Sequence, residues 1–74
     1  MMLPAFDTLT VQSFSSFAFI TLNRPDVKNA MNAQMVRDLI AAFEALHDRR
    51  DVRAVVLSGA EGTFCAGGDI KELA

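Results

Sequence analysis

The chain reads as α/β: a β-hairpin that runs into a strand, helix, strand unit, followed by the start of a next helix. Three observations predict this. Two short runs rich in β-branched and aromatic residues open the chain, Thr8-Leu9-Thr10-Val11-Gln12 and Phe17-Ala18-Phe19-Ile20-Thr21-Leu22. From Met31 to His47 apolar residues recur at intervals of three and four. A further run, Ala54 to Leu57, is apolar without a break.

In the first run Leu9 and Val11 fall on one face, with Thr8, Thr10 and Gln12 on the other, the pattern of a strand wet on one side. Phe14-Ser15-Ser16 separates it from the second run, so a hairpin is the simplest pairing. The second run stops at Asn23-Arg24-Pro25-Asp26, because Pro25 has no N-H for a ladder and Asn and Asp favour turns. A loop through Val27, Lys28 and Asn29 follows.

The helix carries Met31, Met35, Val36, Leu39, Ile40, Phe43 and Leu46 as its apolar set, interrupted by Gln34, Arg37, Asp38, Glu44 and His47. Asn29 or Asn32 is its N-cap, and His47 sits near its end as a solvated residue suited to the dipole. A charged link, Asp48-Arg49-Arg50-Asp51, leads into the third strand. Its unbroken apolar run predicts a strand covered on both faces and parallel to its neighbour, joined by a right-handed crossover. After the loop Gly59-Ala60-Glu61-Gly62-Thr63, Asp69 and Glu72 have the spacing of a capping box, so a helix starts near Asp69. The stretch Asp69 to Ala74 is too short for a stable helix of its own, which predicts a chain cut from a longer one.

A chain of 74 residues buries only about 60 % of the surface it exposes when unfolded, so it holds one small domain of marginal stability. Half of it is hydrophobic (51%) and 22% charged, which excludes a disordered chain. The net charge of -2 comes from interspersed acids and bases, which leaves no basic stripe for nucleic acid or a membrane surface. No apolar stretch spans a bilayer, and Met1-Met2-Leu3-Pro4 has no signal-peptide pattern, so the expected location is cytoplasmic. Cys65 is the sole cysteine, so neither a disulfide nor a cysteine-cluster zinc site is expected, and it reads as a small filler.

The segment with chemical content is Ala66-Gly67-Gly68-Asp69. Glycines before a helix let the backbone take positive φ and approach a ligand, while the first helical N-H groups lack internal partners. Fixed N-H donors of that kind stabilise a carbonyl oxygen that gains negative charge. On spacing alone the segment also fits a plain structural turn or a phosphate loop, although neither Gly-x-Gly-x-x-Gly nor Gly-Lys-Ser/Thr is present.

Leu22-Asn23-Arg24-Pro25 with Lys28-Asn29-Ala30-Met31-Asn32, then the amphipathic helix, the Val55-Val56-Leu57 strand and Phe64-Cys65-Ala66-Gly67-Gly68-Asp69-Ile70-Lys71-Glu72, resembles the N-terminal third of the crotonase family, the enoyl-CoA hydratase/isomerase superfamily. The resemblance runs over nearly the whole chain, in order. It implies a truncated N-terminal part, residues 1–74, of one crotonase-like domain built as a ββα spiral. It also implies that the Gly68 backbone N-H is one of two oxyanion donors to an acyl-CoA thioester, with the CoA thioester as substrate and no other cofactor. Ala66, Gly67, Gly68, Asp69 and Ile70 would line the CoA pocket, Val27, Lys28 and Asn29 would cover CoA from the other side, and Lys28 could meet a CoA phosphate.

The second donor and the catalytic glutamates of the family have no counterpart in this sequence; Glu44, Glu61 and Glu72 match none of them. The chain alone is therefore expected to be inactive, in a family whose full-length members form trimers or hexamers. The competing class is a non-catalytic CoA-binding or structural βαβ module. A Rossmann-like nucleotide binder fits less well, because the glycines follow the second strand of the unit rather than the first. Open strand edges predict that the chain associates.

Overall fold

A computed structural model describes residues 5–73, with residues 72 and 73 described by backbone alone. The start Met1-Met2-Leu3-Pro4 and the reciprocal, Glu72 half of the capping box lie outside the described residues.

Strands β1 (Leu9–Phe14) and β2 (Phe17–Leu22) pair antiparallel from Leu9 opposite Leu22 to Phe14 opposite Phe17. That register leaves Ser15 and Ser16 as the turn, and Ser15 takes a left-handed φ of 56°. Helix α1 (Ala33–His47) crosses to β3 (Ala54–Gly59), which pairs parallel with β2 from Phe17 opposite Ala54 to Leu22 opposite Gly59. The sheet order is β1-β2-β3, so β2 is central, as the hairpin and βαβ reading requires. Asn32 is the cap of α1: its side chain accepts from the Met35 N-H at 2.8 Å. A second helix, α2 (Ile70–Leu73), begins behind Asp69.

The core lies between one face of the hairpin and α1. Leu9 from β1, Ala18, Ile20 and Leu22 from β2, and Met35, Ala42 and Leu46 from α1 form one buried cluster. Alternation along β2 sends every second residue into it, as the pleat demands.

Two expectations need correction. The buried line of α1 is Met35, Asp38, Ala42 and Leu46, whereas Val36, Ile40 and Phe43 are exposed. Asp38 is inside because Thr8 meets it there: its Oδ2 accepts from the Thr8 N-H at 3.1 Å and from the Thr8 hydroxyl at 2.7 Å. Thr8, read as outward-facing, is accordingly buried. Secondly, β3 is not covered on both faces. Val55, Val56 and Leu57 are 37%, 41% and 39% exposed, since β3 is an edge strand and no second layer lies over it among the described residues.

Candidate functional site

Beyond β2 the chain bends sharply. Pro25 starts a 3-10 turn, Pro25–Val27, as its fixed φ allows, and Lys28 and Asn29 then take left-handed φ values of 52° and 58°. Asn tolerates that conformation better than most residues, while Lys does not. Asn29 is fully buried in the bend. Its Oδ1 accepts from the Arg24 N-H at 2.7 Å, and its Nδ2 donates to the carbonyls of Ala60 at 3.2 Å and Thr63 at 2.6 Å. The side chain expected to help cover a ligand therefore works inside the protein, tying this loop to the one that follows β3.

The second loop leaves β3 through Ala60–Gly62, where Glu61 and Gly62 take φ values of 56° and 84°. It returns so close to Gly59 that a Cβ there would sit 2.1 Å from the Thr63 carbonyl oxygen. Only glycine fits. Residues 66 to 69 then run beside residues 28 to 31. The Ala66 N-H donates to the Lys28 carbonyl at 3.0 Å, the Met31 N-H to the Gly67 carbonyl at 2.7 Å, and the Asp69 N-H to the Met31 carbonyl at 2.9 Å.

These last two bonds make a parallel bridge between Met31 and Gly68. In such a bridge the partner bonds to the residues on either side of the central one, so the N-H of Gly68 points away from Met31. Gly68 is exposed, and its N-H has no hydrogen-bond partner among the described residues. Of the two glycines only Gly67 takes a positive φ, 104°.

Asp69 fixes the far side. Its Oδ1 accepts from the Lys71 N-H at 3.0 Å, the cap expected of it, and its Oδ2 lies 3.2 Å from Arg24 Nη1. Arg24 Nη1 also donates to the Ala30 carbonyl. Cys65 is partly buried and free, with its sulfur accepting from the Gly67 N-H at 3.4 Å. Among the other expected site residues, Lys28, Ala66, Gly67 and Ile70 are exposed, and Val27 and Asp69 are half-buried.

The structure thus brings the two sequence blocks together along one seam. It also adds two residues that the sequence reading passed over, Arg24 and Gly59. Arg24 lay within the first block, where a cation wedged between a strand end and Pro25 was the available signal. Nothing in the sequence separates Gly59 from any other strand-end glycine. Glu44 and Glu61 are exposed, on α1 and in the turn after β3. No cluster of three or more His, Cys, Asp or Glu side chains able to hold a metal occurs among the described residues, and no described helix is long and apolar enough to cross a membrane.

A family model described as enoyl-CoA hydratase/isomerase matches residues 12–74. A probable enoyl-CoA hydratase of Rhizobium meliloti (strain 1021) is 46% identical over 69 residues, covering 93% of this chain and 27% of the relative. Among solved structures, Pseudomonas aeruginosa AtuE matches with a TM-score of 0.86 and 51% identity, over 90% of this chain and 26% of that one. An enoyl-CoA hydratase/isomerase from Marinobacter aquaeolei matches with a TM-score of 0.84 and 48% identity, over 89% of this chain and 25% of that one. The chain spans about a quarter of the length of these relatives.

Proposed function

The chain belongs to the enoyl-CoA hydratase/isomerase family, and from that premise we propose that it forms the acyl-CoA-binding part of such an enzyme, with the Gly68 backbone N-H as one oxyanion donor to the thioester carbonyl. The observation that carries this reading is the state of that amide. It is held from both sides by the bonds to Met31, yet exposed and without a partner among the described residues. A donor fixed before the reaction needs no reorganisation when charge develops on the oxygen, and removing one typically raises a barrier by about 3 to 4 kcal/mol.

Around it, Ala66, Gly67, Asp69 and Ile70 would line the CoA pocket, and Val27, Lys28 and the backbone of Asn29 would close it from the facing loop. The exposed Lys28 ammonium would act on a CoA phosphate as a point charge. The reaction proposed for the whole enzyme is hydration or double-bond shift of a 2-enoyl-CoA. Its second donor and its proton-transferring carboxylates would come from the part of the relatives that this chain does not span, so the chain by itself would bind without turning over.

The test exchanges one atom pair. A synthetic 65–74 segment begins with Cys65 and can be ligated to residues 1–64, carrying glycolate in place of Gly68 so that an ester oxygen replaces the N-H. Infrared spectra of crotonyl-CoA labelled with carbon-13 at the thioester carbonyl should show a band moved to lower frequency on the native chain and not on the ester chain. An identical band on both would remove Gly68 from the role. Absence of binding at millimolar ligand would favour a structural module.

A further inference from the structure

We propose that Arg24 is the positioning residue for the Gly68 amide, an inference that rests on the reading of Gly68 as an oxyanion donor. Arg24 Nη1 bonds to the Ala30 carbonyl and to Asp69 Oδ2. Ala30 precedes Met31, whose N-H and C=O make the two bonds that flank Gly68, and Asp69 follows Gly68 directly. The links close a ring: Arg24 to Ala30 and Met31, Met31 to Gly67 and Asp69, Asp69 back to Arg24. Gly68 is the one member of that ring whose N-H faces outward.

The ring has a mechanical and an electrostatic part. Mechanically, Asp69 is held at both oxygens, by the Lys71 N-H and by Arg24, so its side chain cannot rotate and drag the peptide before it. Arg24 is in turn held by its own backbone, its N-H bonded to Asn29 Oδ1 and its C=O accepting from the Asn29 N-H at 2.8 Å. Electrostatically, a carboxylate one residue from an oxyanion donor opposes the negative charge that the donor is there to stabilise. The guanidinium 3.2 Å away offsets it. The side chains of Arg24 and Asp69 are 19% and 13% exposed, so this pair is shielded from the solvent and salt that weaken ordinary surface pairs.

The experiment compares Arg24→Met, Arg24→Lys and Asp69→Asn with the native chain by two readouts. Amide hydrogen exchange should quicken by about tenfold or more at Ala66 and Asp69 in Arg24→Met, the factor expected for loss of a charge-assisted hydrogen bond, while amides inside α1 keep their native rates. Arg24→Lys should restore part of that protection. The labelled thioester band of bound crotonyl-CoA should move back toward its free position in Arg24→Met, with a smaller change in affinity. Native exchange at Ala66 and Asp69 in Arg24→Met would overturn the proposal, as would equal acceleration throughout α1 and the hairpin, which marks a merely stabilising residue. If the native chain binds the probe without a band shift, the Gly68 reading fails and this inference fails with it. A band shift that Arg24→Met leaves in place sinks the positioning role alone.

Discussion

β2 and β3 lie side by side in register, six residues each, and each carries an unbroken apolar stretch of four, Phe17 to Ile20 and Ala54 to Leu57. Their surroundings differ sharply. Ala18 and Ile20 are 0% exposed, while every large apolar side chain of β3 is more than a third exposed. β2 has a strand on each edge and α1 over the face that carries Ala18, Ile20 and Leu22. β3 has one neighbour and no cover among the described residues. An apolar run therefore reports what a strand is able to bury; whether it does so depends on what lies beside it.

The sharpest way to break this comparison is to truncate one residue on each strand. Ile20→Ala should cost about 4 kcal/mol, the loss of buried methylenes plus the cavity left under α1. Val56→Ala should cost less than about 1 kcal/mol, because the side chain is already partly in water. Urea denaturation of dilute chain measures both. If Val56→Ala costs as much as Ile20→Ala, β3 is covered in solution by another copy, as its open edge and bare faces invite. The cost would then fall on dilution.

Within β3 itself the middle and the end differ. Its middle is bare, but Gly59 is pressed against the returning chain, with the Thr63 oxygen 2.1 Å and the Phe64 oxygen 2.5 Å from where a Cβ would sit. Gly59→Ala should destabilise by about 3 kcal/mol, since both obstacles are backbone and one of them holds the Asn29 amide. A loss under about 1 kcal/mol in the same titration would show that residues 63 and 64 can back away. It would also mean that the Asn29 bonds hold the seam less firmly than their lengths suggest.

The difference between the strands also marks the limit of what could be read beforehand. The hairpin, the helix, the parallel strand and the cap at Asp69 were legible because each is set by local pattern: alternation, spacing of three and four, a short polar residue before a helix. Coverage of β3 was not legible, because it depends on chain elsewhere. The burial of Asp38 was not legible for a similar reason. A lone carboxylate in a helix looks solvated unless the residue that satisfies it is known, and Thr8 lies thirty residues away. At the candidate site the glycines and both blocks could be picked out. Their meeting along the seam from Lys28 to Asp69, and the part of Arg24 in it, came only with the fold, since α1, β3 and the turn Ala60–Gly62 lie between the blocks and decide how they approach.

Asp38 also ties α1 to the hairpin side of the sheet, and its loss gives a smaller expected effect than Ile20→Ala or Gly59→Ala. Its carboxylate ties the helix to Thr8, at the start of β1, and Gln34 Nε2 donates to the remaining oxygen at 2.7 Å. Burial works against the charge, but the hydrogen bonds from the Thr8 hydroxyl, Gln34 and the Thr8 N-H, with the Arg37 charge, outweigh it and hold the carboxyl below its ordinary 3.8. As pH falls, the unfolded chain therefore takes up this proton before the folded one does. The contribution to stability is complete above the ordinary value and is lost as pH drops through the lowered one. Asp38→Asn should cost about 1.5 kcal/mol near neutral pH, because one side of the amide turns a donor toward donors. It should cost much less once the pH has fallen below the lowered folded value, where the native carboxyl is also neutral. Urea midpoints for both chains across that range would test this; parallel curves would mean that the helix is held over β2 by apolar contact alone.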